Sequence, residues 1–253
     1  MKLDRVIAVR NNKTVFRDGK HCVKIFSVDF QKSRVFAEAL NHALVEECID
    51  FVPKLLEVIR HDRSWAIVYD FIKGKTLLQW MEEEPEALSD QVEYFVDTQI
   101  RLHTTEGGRL ASMKKAFASS IDKAPLDAEG KAALHKGLEE MSFSSRLCHA
   151  DFVPSNLIIG EDTRPVVLDW ACALSGEPLA DAAITYLLMK IRGFSDFAEQ
   201  YQSQYIHKTH RCSEDWKRWL PYAAVFLLNY TNAAEREMLL PYAVSMKGKG
   251  ETT

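Results

Sequence analysis

One short stretch of the chain, residues 147–170, carries side chains whose types and spacing suit metal and phosphate chemistry. His149, Asp151 and Asn156 lie within one loop. Asp169 follows at the end of an apolar run. Carboxylate and carboxamide oxygens are hard ligands of the kind that Mg²⁺ prefers, and Mg²⁺ commonly shares its coordination shell with phosphates and water. The stretch therefore predicts a site for Mg²⁺ and a phosphorylated ligand.

The positions of these side chains depend on the elements around them. Two aliphatic runs, residues 157–159 and 166–168, flank a turn signal that contains glycine and proline. This pattern is typical of a β-hairpin. A hairpin would bring Asn156 and Asp169 together with Asp151 nearby, so that three oxygen-bearing side chains converge.

Composition is that of a soluble globular protein. The chain has 253 residues, of which 47% are hydrophobic and 27% charged, and this size suits one large domain or two lobes. It contains no low-complexity tract and no repeat of solenoid period. We find no signal-peptide core and no segment able to span a bilayer, so a cytoplasmic location without membrane attachment is expected.

Net charge bears on the expected binding partners, and cysteine content bears on the expected redox state. The net charge of -4 argues against nucleic acid, because binders of nucleic acid usually show a basic face. No obligate protein partner is evident. The five cysteines are odd in number and widely spaced, so they are expected to be reduced core residues.

The N-terminal part of the chain predicts an antiparallel sheet. Three strand-like runs, residues 3–9, 14–16 and 22–26, are separated by turn signals. Lys24 lies inside the third, apolar run. A lysine among such neighbours needs an anionic partner, although an outward-facing residue of an alternating strand is the favoured interpretation when Lys24 is taken alone.

A helix and two further strands complete this first part. Residues 31–48 have helical periodicity with Phe36 and Leu40 on the apolar stripe, and Glu38 lies on its flank. The glutamate is either the partner of the strand lysine or a solvated helix residue. Residues 55–60 and 65–72 then predict two more strands.

Everything after residue 72 except the hairpin is expected to be mainly helical. Thr76 is a candidate N-cap, and residues 89–103 predict a long amphipathic helix. A long apolar span near the C-terminus is expected to be broken at Pro221 and Pro241.

The order of these features resembles a known fold. A lysine on the third strand, a glutamate on the following helix, the loop H-x-D-x4-N and a later aspartate resemble the protein-kinase-like fold. The run Asp169-Trp170, followed by Gly-Glu-Pro-Leu-Ala-Asp at residues 176–181, is more closely similar to the aminoglycoside phosphotransferase and choline kinase family. The resemblance implies an α+β two-lobe fold. Residues 1–72 would form an N-terminal nucleotide-binding lobe with a five-stranded antiparallel sheet and one helix, and residues 73–253 a helical C-terminal lobe that carries the catalytic hairpin and the substrate pocket.

The resemblance also implies roles for individual residues. Asp151 would accept or orient the proton of the substrate hydroxyl, and Asn156 and Asp169 would bind Mg²⁺. Lys24 would contact the α- and β-phosphates of ATP, and Glu38 would position that lysine.

Other positions would support the nucleotide and the loop. Asp70 to Ile72 match the hinge whose backbone meets the adenine. Asn11 and Asn12 are plausible phosphate-loop positions, since asparagine tolerates left-handed backbone conformations. His149 would pack under the loop, and Asp181 would anchor the loop backbone.

Two departures from protein kinases bear on the substrate. The turn at residues 10–14 has no G-x-G-x-x-G, and no activation segment follows Asp169. We therefore expect a Mg²⁺-dependent kinase that transfers the γ-phosphate of ATP to a hydroxyl of a small molecule, such as an aminoglycoside, choline, a sugar or a related metabolite. A nucleotide-binding regulatory module without activity is the alternative, and a protein kinase is the third.

The sequence does not identify the compound that accepts the phosphate. A cationic acceptor needs acidic or aromatic side chains around it, although acidic runs are usually solvated helix faces and aromatics at helical spacing are usually core. Candidates are Glu82 to Glu84, Glu86, Asp196, Glu199, Glu214, Asp215, Glu235, Glu237, Trp216, Trp219, Tyr222 and Tyr230.

A zinc site is a competing interpretation of another cluster. His207, His210 and Cys212 lie close together in sequence. No fourth ligand is visible, so surface residues at a helix end are the favoured interpretation.

Overall fold

The structure is a computed structural model that describes residue 3, residues 5–10 and residues 12–244. These residues form two compact units. The first unit comprises the described part of residues 1–83 together with 154–173, and the second comprises 84–153 and the described part of 174–253. The functional lobe boundary between residues 72 and 73 stays a prediction.

Most strands lie in the first unit, and most helices lie in the second. The strands are β1 Arg5–Arg10, β2 Lys13–Asp18, β3 His21–Phe26, β4 Leu55–His61, β5 Ser64–Asp70, β6 Gly74–Thr76, β7 Arg146–Cys148, β8 Leu157–Gly160, β9 Pro165–Val167 and β10 Leu174–Gly176. The helices are α1 Lys32–Glu46, α2 Leu77–Glu83, α3 Leu88–His103, α4 Met113–Lys123, α5 Ala128–Glu140, α6 Pro178–Ile191, α7 Ser195–Thr209, α8 Ser213–Leu227 and α9 Ala233–Ala243.

The predicted five-stranded antiparallel sheet is confirmed in the first unit. Its strand order within the described residues is β1-β2-β3-β5-β4, and every neighbouring pair is antiparallel. The last strand ends at Asp70 and not at Ile72 as predicted. The backbone N–H of Phe71 still donates to the carbonyl of Lys20 at 2.9 Å, next to the start of β3.

Helix α1 packs on this sheet with a different face from the one predicted. Phe36 and Leu40 are 44% and 59% exposed, so the stripe assigned to them is not the buried one. The buried face carries Val35, Glu38, Ala39, His42 and Val45. Two polar residues can occupy this face because each has a buried partner. The imidazole Nε2 of His42, for example, lies 2.7 Å from the carbonyl oxygen of Pro53.

The predicted hairpin, β8 and β9, belongs to the first unit and gains a third strand. The sheet order is β6-β8-β9, and β6 was not predicted as a strand. Gly74 has φ +151°, and a Cβ there would lie 2.1 Å from the carbonyl oxygen of Ile159, so only glycine fits. Thr76 caps α2 as predicted, since its hydroxyl accepts from the backbone N–H of Gln79 at 3.1 Å.

The second unit is mainly helical, with β7 and β10 as an unpredicted two-stranded sheet. The predicted breaks at Pro221 and Pro241 are wrong, because both prolines lie inside helices, α8 and α9. The helices separate instead after Leu228, and Asn232 then forms a capping box with Glu235. Burial of α8 against α4, α6 and α9 outweighs the hydrogen bond that proline removes. Among the described residues, no helix combines the length and apolar character needed to cross a membrane.

Candidate active site

The first unit gathers buried Lys24 and Glu38 and half-buried Asp169 into one cluster. Lys24 lies on β3 and Glu38 on α1, and they are 6% and 5% exposed. The ammonium of Lys24 donates to Glu38 Oε1 and, at 2.8 Å, to Asp169 Oδ1. A buried lysine needs compensating charge, and here two carboxylates provide it.

Lys13 is a fourth member of this cluster, and the sequence reasoning missed it. It lies at the start of β2, and its Nζ donates to Asp169 Oδ2 at 2.7 Å. The two oxygens of Asp169 are thus each bound by a different ammonium group. The local signal was only the position of Lys13 at a strand end beside the proposed phosphate turn.

The two lysines keep Asp169 ionised. Burial by itself raises the pKa of Asp169, but the positive charges of Lys24 and Lys13 outweigh it and hold the pKa well below its usual range. Burial likewise lowers the pKa of Lys24, but the charges of Asp169 and Glu38 outweigh it and keep that pKa above its usual range. Lys24 and Asp169 are therefore both charged at neutral pH.

The hairpin brings Asn156 next to the strand that leads to Asp169. The backbone N–H of Leu168 donates to the carbonyl oxygen of Asn156 at 2.8 Å. Asp169 then has a left-handed backbone with φ 61°, and buried Trp170 donates through Nε1 to the carbonyl of Val167 at 3.1 Å. An ionised carboxylate and a carboxamide at one end of a hairpin are a donor set that fits Mg²⁺.

In the second unit Asp151 lies in a loop after β7. Its backbone N–H donates to Nδ1 of His149 at 3.2 Å, and the His149 side chain is fully buried. Ala150 between them has φ 59°, an uncommon conformation for a residue with a Cβ. Arg192 donates from Nη2 to Asp151 Oδ1 at 3.1 Å, a contact that the sequence reasoning did not anticipate.

Asp181 on α6 holds this loop by its backbone. Its Oδ1 accepts from the N–H of Ala150 at 2.7 Å, and its Oδ2 accepts from the N–H of His149 at 3.2 Å. The imidazole Nε2 of His103 and the amide of Gln99 lie 2.9 and 3.1 Å from Oδ2. Burial raises the pKa of Asp181, but these hydrogen bonds and the His103 partner lower it overall. Neither His103 nor Gln99 was singled out from the sequence, because each lies more than 70 positions away in the chain.

The remaining predicted nucleotide positions lie at the rim of the five-stranded sheet. The backbone N–H of Asp70 donates to the carbonyl of Lys54 at 3.0 Å, and Ile72 follows the strand as a half-buried residue. Asn12 is exposed in the turn between β1 and β2, and its carbonyl accepts from the N–H of Ser27 at 2.9 Å. Asn11 lies outside the described residues.

The competing zinc cluster does not assemble. Within the described residues, the one group of three potential metal ligands is buried His103, Cys148 and Asp181, so His207, His210 and Cys212 do not converge.

Solved structures similar to this chain include aminoglycoside phosphotransferases and a choline kinase. A thermostable mutant of aminoglycoside phosphotransferase APH(4)-Ia, in ternary complex with ADP and hygromycin B, matches with a TM-score of 0.69 and 13% identity over 98% of this chain and 94% of that one. Choline kinase LicA from Streptococcus pneumoniae matches with a TM-score of 0.62 and 16% identity over 96% and 95%. Aminoglycoside-3'-phosphotransferase of type VIII matches with a TM-score of 0.60 and 14% identity over 88% and 93%. The chain therefore has the kinase-like fold.

The family follows from the sequence match. The model of the phosphotransferase enzyme family matches residues 36–222, which is most of the chain. The chain belongs to this family. The resemblance noted from the Asp151 to Asp181 motifs is thereby confirmed.

Proposed function

We propose that this protein is an ATP- and Mg²⁺-dependent phosphotransferase that moves the γ-phosphate of ATP to a hydroxyl group of a small molecule. The observation that carries the proposal is the half-buried Asp169 carboxylate, bound on one oxygen by Lys24 and on the other by Lys13. Family membership and the nucleotide complex of the similar APH(4)-Ia structure agree with it.

The first unit would bind the nucleotide and the metal. Lys24, positioned by Glu38, would contact the α- and β-phosphates, while Asp169 and Asn156 would hold Mg²⁺. Mg²⁺, when bound, would neutralise negative charge that develops on the transferred phosphate. The backbone at Asp70 and Ile72 would meet the adenine.

Further positions would support the same complex. Asn12, and Asn11 from its place in the sequence, would cover the phosphates. In the second unit, His149 and Asp181 would keep the catalytic loop in shape, since they are tied to its backbone.

Asp151 would serve the acceptor. The acceptor oxygen forms its bond to the γ-phosphorus as the bond to the β,γ-bridging oxygen breaks, and that electron pair leaves with ADP. The hydroxyl proton passes to Asp151 and then to water. The hydrogen bond from the Asp151 N–H to His149 fixes the backbone from which the carboxylate projects.

Purified full-length protein tests the proposal. With ATP and Mg²⁺ it should phosphorylate at least one compound of a panel of aminoglycosides, amino alcohols, sugars and hydroxy acids. Asp151→Asn should lower kcat about 100- to 10,000-fold and leave ADP affinity unchanged, since loss of a general base has effects of this size. Exposed Asp90 on α3 gives a matched control, Asp90→Asn, that should keep full activity.

Two results would count against it. Full turnover by Asp151→Asn would show that the assigned role is wrong. ADP binding without transfer to any acceptor would favour a nucleotide-binding regulatory module.

A further inference from the structure

The end of helix α6 places a cation beside Asp151. Arg192 follows the last residue of α6, and its backbone N–H donates to the carbonyl of Leu188 at 3.1 Å. Gly193 with φ 85° then turns the chain away. Since Asp181 on the first turn of the same buried helix binds the loop backbone, α6 supports Asp151 at one end and contacts its carboxylate from the other.

The contact leaves much of the guanidinium available. One nitrogen, Nη2, donates to Asp151 Oδ1 at 3.1 Å, and the Arg192 side chain is 37% exposed. Across the described residues, Asp151 is the one ion-pair partner of this arginine. A guanidinium has five N–H donors in a planar fork that suits carboxylate and phosphate, so Arg192 can bind a second anion without leaving Asp151.

Three of the acidic candidates for binding a cationic acceptor are engaged by other side chains or by a helix cap. Glu199 accepts from Lys190 at 2.9 Å and from the hydroxyl of Tyr186 at 3.0 Å. Glu214 pairs with Lys217 at 2.8 Å. Glu235 belongs to the capping box of α9.

Three of the four aromatic candidates for a cation-binding box are core residues, whereas the fourth, Tyr230, is 64% exposed. Trp216, Trp219 and Tyr222 are 0%, 6% and 1% exposed. Trp219 and Tyr222 pack against each other, Tyr222 also packs against Phe117, and Trp216 packs against Tyr201. A cation needs access to the face of a ring, and buried core rings do not offer it.

We propose that Arg192 determines acceptor specificity by binding an anionic group, a carboxylate or a phosphate, that the acceptor carries in addition to its reactive hydroxyl. This inference rests on the proposed function of the Asp151 site. Arg192 neutralises the charge that such an acceptor brings next to Asp151, and a cationic acceptor meets repulsion from the same guanidinium.

Matched three-carbon alcohols probe the charge of the acceptor directly. Glycerate, glycerol 3-phosphate, glycerol and 3-amino-1,2-propanediol differ mainly in the group beside their hydroxyls. Binding to the protein with Mg²⁺ and ADP is measured by calorimetry, and turnover with Mg²⁺ and ATP is measured by release of ADP. We expect binding and turnover of glycerate or of glycerol 3-phosphate. Comparing these two compounds shows whether the anionic group is a carboxylate or a phosphate.

Variants then assign the effect to the arginine. Arg192→Gln should raise KM and Kd for the anionic compound about 10- to 100-fold, the usual range for a charged hydrogen bond, while Arg192→Lys should recover part of the loss. Both variants also alter the contact with Asp151, so KM and Kd for glycerol are measured alongside, and the change for the anionic compound should exceed the change for glycerol. Arg218→Gln, at an exposed arginine of α8, is the matched control and should match the wild type.

The outcomes distinguish this inference from the proposed function. Preference for the amino compound, equal KM changes for anionic and neutral compounds, or no Arg192-dependent binding of either anion would overturn the inference even with an active enzyme. Arg192-dependent anion binding without any transfer would support the inference and argue against the proposed function.

Discussion

Asp169 and Asp181 are two aspartates that meet the same problem, a carboxylate removed from water, with different partners. The Asp169 side chain is 21% exposed and is bound by the flexible side chains of Lys13 and Lys24. The Asp181 side chain is fully buried and is bound by two backbone N–H groups, His103 and Gln99. In both, favourable partners outweigh burial and lower the pKa.

The two aspartates differ in whether their partners can leave the carboxylate for another ligand. A lysine ammonium on a long side chain can move to a phosphate and leave its carboxylate to a metal ion. Backbone N–H groups and packed side chains cannot do so without loss of the loop conformation. We therefore expect Asp169 to bind a metal ion and Asp181 to maintain the conformation of the loop. Each expectation can be tested.

The largest expected effect is the loss of stability caused by Asp181→Ala. Asp181→Ala leaves the N–H groups of His149 and Ala150 buried without an acceptor, so the free energy of unfolding should fall by about 3–5 kcal/mol. Urea denaturation measures this change. Asp97→Ala, which removes an exposed ion pair to Lys208, is the control and should cost less than about 1 kcal/mol. A loss for Asp181→Ala as small as that of the control would refute the architectural role.

Asp169→Asn, in contrast, should weaken metal binding strongly and reduce stability only slightly. Mg²⁺ should no longer strengthen ADP binding, with a loss of more than about 100-fold in metal affinity, because even residues behind metal ligands have effects up to that size. The free energy of unfolding should fall by only about 1–2 kcal/mol, since Lys24 keeps Glu38 as a partner. Calorimetry of ADP binding with and without Mg²⁺ and urea denaturation provide the two values. Retention of the Mg²⁺ effect would remove Asp169 from the metal site.

Lys13→Met is expected to have a smaller effect. Lys13 occupies Oδ2 of Asp169, so its removal takes away a competitor for that oxygen. The Mg²⁺ concentration that half-saturates ADP binding should fall about fivefold, which corresponds to an ion pair of about 1 kcal/mol. Lys54→Met, at an exposed lysine of the first unit, should leave it unchanged. A higher Mg²⁺ requirement in Lys13→Met would mean that this lysine assists metal binding.

The sequence predicted those parts of the site that have a local signal. Lys24 stands out because it interrupts an apolar strand, and the hairpin stands out because its turn separates two aliphatic runs. The five-stranded sheet followed from the strand and turn patterns, and the kinase-like fold came from the family resemblance. The roles of Asp151, Asn156 and Asp169 came from family resemblance and stay proposals.

Residues whose contacts come from distant parts of the chain were missed. Lys13 meets Asp169 across 156 positions, and Arg192 meets Asp151 across 41. The face of α1 was assigned to Phe36 and Leu40 because hydrophobicity alone does not show that Glu38 and His42 have buried partners. In each case tertiary contacts outweighed the local preference.

The smallest expected effect concerns a third way to bury a titratable group, which is to keep it neutral. His42 on α1 is 2% exposed, and burial lowers its pKa below the ordinary value near 6.5. The unfolded chain therefore binds a proton at this histidine at a higher pH than the folded chain does. Stability from His42 is present above about pH 6.5 and is lost as pH falls below it.

Asp169 and Asp181 cannot produce this loss, because their lowered pKa values make stability fall only in acid near and below the ordinary aspartate pKa of about 3.9. His42→Gln keeps a donor for the carbonyl of Pro53 but does not titrate. Urea denaturation between pH 7.5 and 5.5 should show a smaller decrease for His42→Gln than for the wild type. His21→Gln, at an exposed histidine of the same unit, should follow the wild type. Identical pH dependence in all three proteins would mean that acid sensitivity in this range does not arise from His42.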